Sequence, residues 1–186
     1  MIKTVLAYLG YKGAEPDERT LREITEIHRE LKNVCGKPKS VMGIFECDVS
    51  ENNVRFGGIN IGSKSLAQHL KSAKKVGVTA VTLGVEADRV IYRHSIEDIS
   101  KSVIADAVAS VMVNEYCAEI CGELRFSPGY GDFDLMHQVD ILRILDANKR
   151  IGLSCSDGFM LIPGKSVTAV IPYISSEHKG EQNDTI

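Results

Sequence analysis

The chain has 186 residues, 44% of them hydrophobic and 25% charged, with a formal net charge of −3. That is enough apolar material for one domain with a real core. It is too little positive charge for a general electrostatic hold on nucleic acid or an anionic membrane. No apolar run approaches the roughly 18 residues of a membrane-spanning helix. The opening MIKTVLAYLGYKG is a short apolar stretch broken by Gly10, with no small-residue cleavage site after it. The five cysteines, Cys35, Cys47, Cys117, Cys121 and Cys155, are odd in number and scattered. The expectation is therefore a cytoplasmic protein with free thiols.

Residues 16–35 predict a helix. Pro16 suits a first turn, Asp17 and Glu18 favour the positive end of the dipole, and Leu21, Ile24, Ile27, Leu31 and Val34 form one stripe. Gly36 and Pro38 end it. SVMGIFECDV and NVRFGGINIG read as two strands joined by the turn SENN, with Gly57-Gly58 as a bulge or a close backbone approach. SLAQHLKSAKKV predicts a short helix behind Ser63 or Ser65. VGVTAVTLGV is nearly all apolar or β-branched, which predicts a strand buried on both faces.

A helix is expected from about Glu86, and a longer one over about 96–122 with Ser95 and Asp98 as its N-cap signal. Ile96, Ile99, Val103, Ala107, Ser110/Val111, Asn114 and Cys117 share a face of that longer helix. Leu135, Val139, Leu142 and Leu145 mark another helix to about Asp146. GFMLIP, the turn GKS and VTAVIPYI read as a closing hairpin. The polar end SSEHKGEQNDTI, residues 175–186, is expected to be a disordered tail. Helices and strands are mixed without strict alternation, so the pattern predicts α+β or a mixed sheet rather than a doubly wound parallel one.

Chemistry concentrates in RFSPGYGDF, residues 125–133. Arg125 offers paired planar donors suited to a carboxylate or phosphate. Pro128 restricts the backbone, Gly129 lets it approach a ligand, and Tyr130 adds a flat ring and a hydroxyl. The plain alternative is a tight loop with a surface arginine and a packed tyrosine. Cys117 and Cys121, spaced i,i+4, share a helix face, but further metal ligands are not near them in sequence. The five histidines, at 28, 69, 94, 137 and 178, show no ligand spacing. GGINIG lacks the helix that a dinucleotide fingerprint needs.

The loop resembles the Arg-x-x-x-Gly-Tyr motif of the activation domain of vitamin B12-dependent methionine synthase. LAYLGYKG, LGVEADRVI, IADAVAS, DILRILDANKRIGLS and GFMLIPGKSVTAVI also resemble segments of its short, stand-alone versions, in order from about residue 5 to 172. The resemblance implies one domain over residues 1–174 with a helmet-like α+β fold on a twisted, mainly antiparallel sheet. It implies binding of S-adenosylmethionine and reductive remethylation of oxidised cobalamin carried by a partner, either methionine synthase or another corrinoid protein. The implied electron donor is a flavodoxin- or ferredoxin-like protein.

Carried over by residue, Arg125 would pair with the methionyl carboxylate, and Gly129 and Tyr130 would line the adenosine. The Ser127–Pro128 backbone would make polar contacts, and Glu119 would complement the ammonium and sulfonium. Asp106, Glu86 and Asp88 would face the cobalamin-bearing partner. His137 would face ligand or corrin, although its plain reading is an exposed helical histidine. Two departures stand out: Asn114 where many relatives carry Glu, and SCSDGF where relatives tend to have Thr-Glu-Ser. Methyl transfer from a sulfonium to cobalt needs no general acid or base, only alignment. The competing expectation is a non-catalytic adaptor docking on a corrinoid or methyltransferase protein.

Overall fold

The computed structural model describes residues 1–173; the expected 175–186 tail lies outside the described residues. Seven helices and seven strands are described: α1 Ile2–Tyr8, α2 Glu18–Cys35, β1 Lys39–Val49, β2 Asn53–Phe56, β3 Ile59–Gly62, α3 Lys64–His69, β4 Lys75–Thr82, α4 Val85–Glu97, α5 Ile99–Cys121, α6 His137–Ile144, α7 Ala147–Ile151, β5 Ser154–Cys155, β6 Leu161–Ile162 and β7 Ser166–Pro172. Five strands form an antiparallel sheet in the order β3-β2-β1-β4-β7, and β5 and β6 pair separately. The fold is α+β, as the mixed pattern predicts.

The sheet separates two cores. One face packs Val76, Val78 and Ala80 with Leu66, Phe133, Ile141 and Leu145 from α3, α6 and the intervening loop. The other packs Val81 and Ala169 with Ile24, Leu31 and Val108 from α2 and α5. Central β4 is covered on both faces from Val76 to Thr82, which is why its sequence runs apolar without alternating. At α2, Asp17 accepts from the Thr20 N–H as N-cap, and Ile24, Ile27 and Leu31 are buried as the stripe requires.

Several local expectations are corrected. Gly57 and Gly58 form no bulge: both have positive φ, +55° and +76°, and make the two-residue turn of a β2–β3 hairpin in which Phe56 faces Ile59. The helix behind Ser63 stops at His69, because Lys75 already belongs to β4. The long helix starts behind Asp98 rather than Ser95, and the expected face is buried only in part: Ala107, Val111 and Cys117 are buried, Ile96, Ile99 and Val103 are exposed, and Ala105, Val108 and Ala109 are buried outside it. A helix sandwiched between neighbours buries more than one stripe, so periodicity misplaces its centre. Around α6 the expected stripe holds at Leu142 and Leu145, which are buried, and fails at Leu135 and Val139, which are exposed. The closing hairpin does not form: β6 pairs with β5 and β7 pairs with β4. The short α1 and α7 carry too few turns for a periodic signal.

Candidate functional site

The RFSPGYGDF loop begins just beyond the C-terminal end of α5, where Gly122 at φ +73° turns the chain. Phe126 exchanges main-chain hydrogen bonds with Val170 of β7, at 2.9 and 2.8 Å, which pins the loop to the sheet edge. Ser127 to Tyr130 then form a tight turn. The Tyr130 N–H donates to the Ser127 carbonyl at 3.0 Å, with proline second and Gly129 third at φ +94°. That is the type II arrangement, which needs glycine at its third position. The Phe133 N–H donates to the Tyr130 carbonyl, and the Gly129 N–H to the Phe133 carbonyl.

Asp132 fastens the loop from the other side. Its carboxylate accepts from Ser63 Oγ at 2.6 Å and from the Lys64 and Ser65 N–H groups at 2.8 and 3.0 Å, at the N-terminus of α3. Those bonds, led by the Ser63 hydroxyl, hold its carboxyl well below the usual carboxylate range. Below the loop, Phe126 is the hub of an aromatic cluster. It stacks on Phe133 at 6.3 Å, meets Tyr130 edge-on at 5.7 Å and lies 5.1 Å from the His69 ring. Pro128 is buried, while Tyr130 keeps 51% of its surface exposed.

Arg125 is half-buried, and its Nη1 donates to the Asn114 main-chain carbonyl at 2.8 Å. Among the described residues it forms no ion pair with a carboxylate. The loop therefore carries Arg125, Ser127, Pro128, Gly129 and Tyr130 on one short, pinned segment: a guanidinium held to α5 by one terminal nitrogen and, five residues on, an aromatic ring half open to solvent. Such a feature can bind a carboxylate-bearing molecule with a flat group. Glu119 stands on the exposed surface of α5.

The acids lie elsewhere. Asp106 pairs with Lys165 at 2.7 Å, and Lys165 also donates to Ser110 Oγ. Asp88 accepts from the Gly164 N–H at 2.9 Å. Both acids line an open pocket of about 350 Å³ with Tyr92, Ser95 and Lys165. Glu86 does not line it; it pairs with Arg89 at 2.6 Å. Asp106 sits eight residues before Asn114 on α5, about 12 Å along the axis. His137 is not the exposed helical histidine of the plain reading. It is largely buried, 5.8 Å from the Phe133 ring, with Nδ1 3.3 Å from Asp140.

Sequence reasoning missed Asp132, Phe126 and Lys165. The hydrogen-bond and ion-pair partners of each are at least 44 residues away, so no local spacing announces them.

No protein-family model matches the chain, and no curated protein matches it. Among solved structures, it is similar to one described as the MetH reactivation domain bound to AdoHcy. The TM-score is 0.67 at 15% sequence identity, covering 87% of this chain and 67% of that one. The fold is that of the MetH reactivation domain. The curled antiparallel sheet and packed helices agree with the helmet-like α+β architecture expected from the loop and its companion segments.

Proposed function

We propose that this chain binds S-adenosylmethionine at the Arg125–Tyr130 loop and acts as a stand-alone activation component for reductive remethylation of cobalamin on a partner protein. The observation that carries the reading is a half-buried Arg125, anchored by one nitrogen and unpaired with any described carboxylate, on a fold shared with a MetH reactivation domain bound to AdoHcy. The residues fit such a ligand. Arg125 keeps donors beyond Nη1 for an α-carboxylate, Gly129 at φ +94° sets the tight turn, and the half-exposed Tyr130 ring offers a face to a purine. Glu119 supplies negative charge on the last turns of α5, suited to the ammonium and sulfonium.

Cobalamin, carried by the partner, supplies the methyl-accepting cobalt. This chain's residues bind and orient the methyl donor. Arg125 fixes one end, the Pro128–Gly129 turn and Tyr130 the other, and alignment is the whole of their contribution because the thioether leaves as a neutral group. The Asp88–Asp106–Lys165 pocket, farther along α5, is the face assigned to the partner, a methionine synthase or another corrinoid protein. A flavodoxin- or ferredoxin-like protein is the assigned reductant.

The test is anaerobic spectroscopy of a Co(II) corrinoid protein with reductant and S-adenosylmethionine, with and without this chain. Faster recovery of the methylated spectrum with the chain supports the reading. Equal recovery would remove the activation role and favour the adaptor.

A further inference from the structure

Cys117 and Cys121 stand on the last turn of α5, four residues apart, with Sγ atoms at 3.5 Å. The Cys121 thiol donates to the Cys117 carbonyl at 2.8 Å. Cys117 is fully buried and Cys121 half-buried, and α5 ends at Cys121 itself. The Arg125 guanidinium is held against the same end of α5, its Nη1 donating to the carbonyl of Asn114, three residues before Cys117. We propose that this thiol pair is a redox-responsive modification site, and that its oxidation to a disulfide within the helix end displaces Arg125.

Cα atoms four apart on a regular helix are about 6 Å apart, within reach of a disulfide. Their Cβ atoms are farther apart than a disulfide tolerates, so bond formation must tighten the final turn. Behind that turn Gly122, Glu123 and Leu124 are exposed, so tightening it displaces no core side chain of these three residues. Arg125, four residues on, moves with it.

Cys117 is also chemically distinguished from the other cysteines. The neighbouring Cys121 thiol, and then the Arg125 guanidinium, lower the Cys117 thiol against the effect of burial, whereas Cys117 and burial raise that of Cys121. Burial raises the thiols of Cys35, Cys47 and Cys155, Cys47 to about 11.

With hydrogen peroxide as oxidant, the sulfur of Cys121, the half-buried member of the pair, attacks one oxygen and the O–O bond breaks. The departing hydroxyl takes up the Cys121 thiol proton and leaves as water, and Cys121 becomes a sulfenic acid. The Cys117 sulfur then attacks Cys121. An S–S bond forms, the S–O bond breaks, and the second oxygen leaves as water with the Cys117 proton. Both thiols are oxidised and one peroxide is reduced.

The disulfide stands independently of ligand identity; its effect on binding rests on the reading of Arg125 as carboxylate clamp. The whole chain is titrated with hydrogen peroxide, then alkylated and peptide-mapped. The expected product is a 117–121 disulfide formed before Cys35, Cys47 or Cys155 reacts, and reversed by dithiothreitol. Hydrogen exchange over 118–126 should rise on oxidation, and affinity for S-adenosylhomocysteine should fall about tenfold or more. In Cys117→Ser, dimedone should trap Cys121 as sulfenic acid with no disulfide. Oxidation scattered over all five cysteines, or a 117–121 disulfide with unchanged exchange over 118–126, overturns the proposal. If the reduced chain fails to bind S-adenosylhomocysteine, the ligand reading fails, while mapping and exchange still decide the switch.

Discussion

Arg125 holds the main-chain carbonyl of Asn114 at 2.8 Å, not its side chain. The Asn114 amide instead donates to the Ser110 carbonyl at 2.8 Å and reaches the Tyr8 hydroxyl at 3.4 Å. The anchor of the cationic fork is therefore indifferent to which side chain occupies position 114. This gives a physical account of how Asn is tolerated where the resemblance leads one to expect Glu. Asn114→Ala should leave S-adenosylhomocysteine affinity within about threefold of the parent and change stability by about 1 kcal/mol or less. Ligand titration and urea denaturation check both, and loss of binding in this variant would show that the side chain takes part.

Asp132 makes loop stability depend on pH. Its folded-state carboxyl lies below the ordinary value near 3.8, so its stabilisation is complete above that value and is lost as pH falls through and below it. Thermal melts from neutral pH down into the acid range should show a steeper loss in the parent than in Asp132→Asn. Near neutral pH the variant should be the less stable of the two. Superimposable acid limbs would show that the Ser63–Lys64–Ser65 cradle does not hold the charged form.

Gly131 is required by both backbone and neighbour. Its φ is +56°, and an added Cβ would lie 2.6 Å from Ser65 Oγ and 2.9 Å from Ser65 Cβ. Gly131→Ala should cost about 1–3 kcal/mol, the sum of left-handed strain and forced movement of the first turn of α3. Chemical denaturation measures it. A cost below about 0.5 kcal/mol would mean that loop and α3 are not rigidly joined.

Much of this architecture was legible in the residues. The α2 stripe, the doubly covered β4 and the Pro128–Gly129 turn follow from local rules, because each is fixed by neighbours in sequence. The β1–β2 pairing follows from the SENN turn, but the partners of β6 and β7 were not legible. LeuIle at 161–162 looks like a hairpin mate of β7, yet it pairs with Ser154–Cys155. Ile99 and Val103 look like core on periodicity, but α5 is covered from other directions. In the site, Arg125 and Tyr130 were visible from residue type. Asp132 was not, because its partners come from α3, more than 60 residues earlier.

The central claim is that Arg125 clasps the carboxylate of a sulfonium nucleoside. Isothermal titration of S-adenosylhomocysteine into the reduced chain, its Arg125→Lys variant and its Arg125→Ala variant tests it most directly. The prediction is one saturable site in the parent, affinity about 10- to 100-fold weaker with lysine, and weaker still with alanine. Equal affinity in all three proteins, or no binding heat in the parent even with a corrinoid partner present, would contradict it.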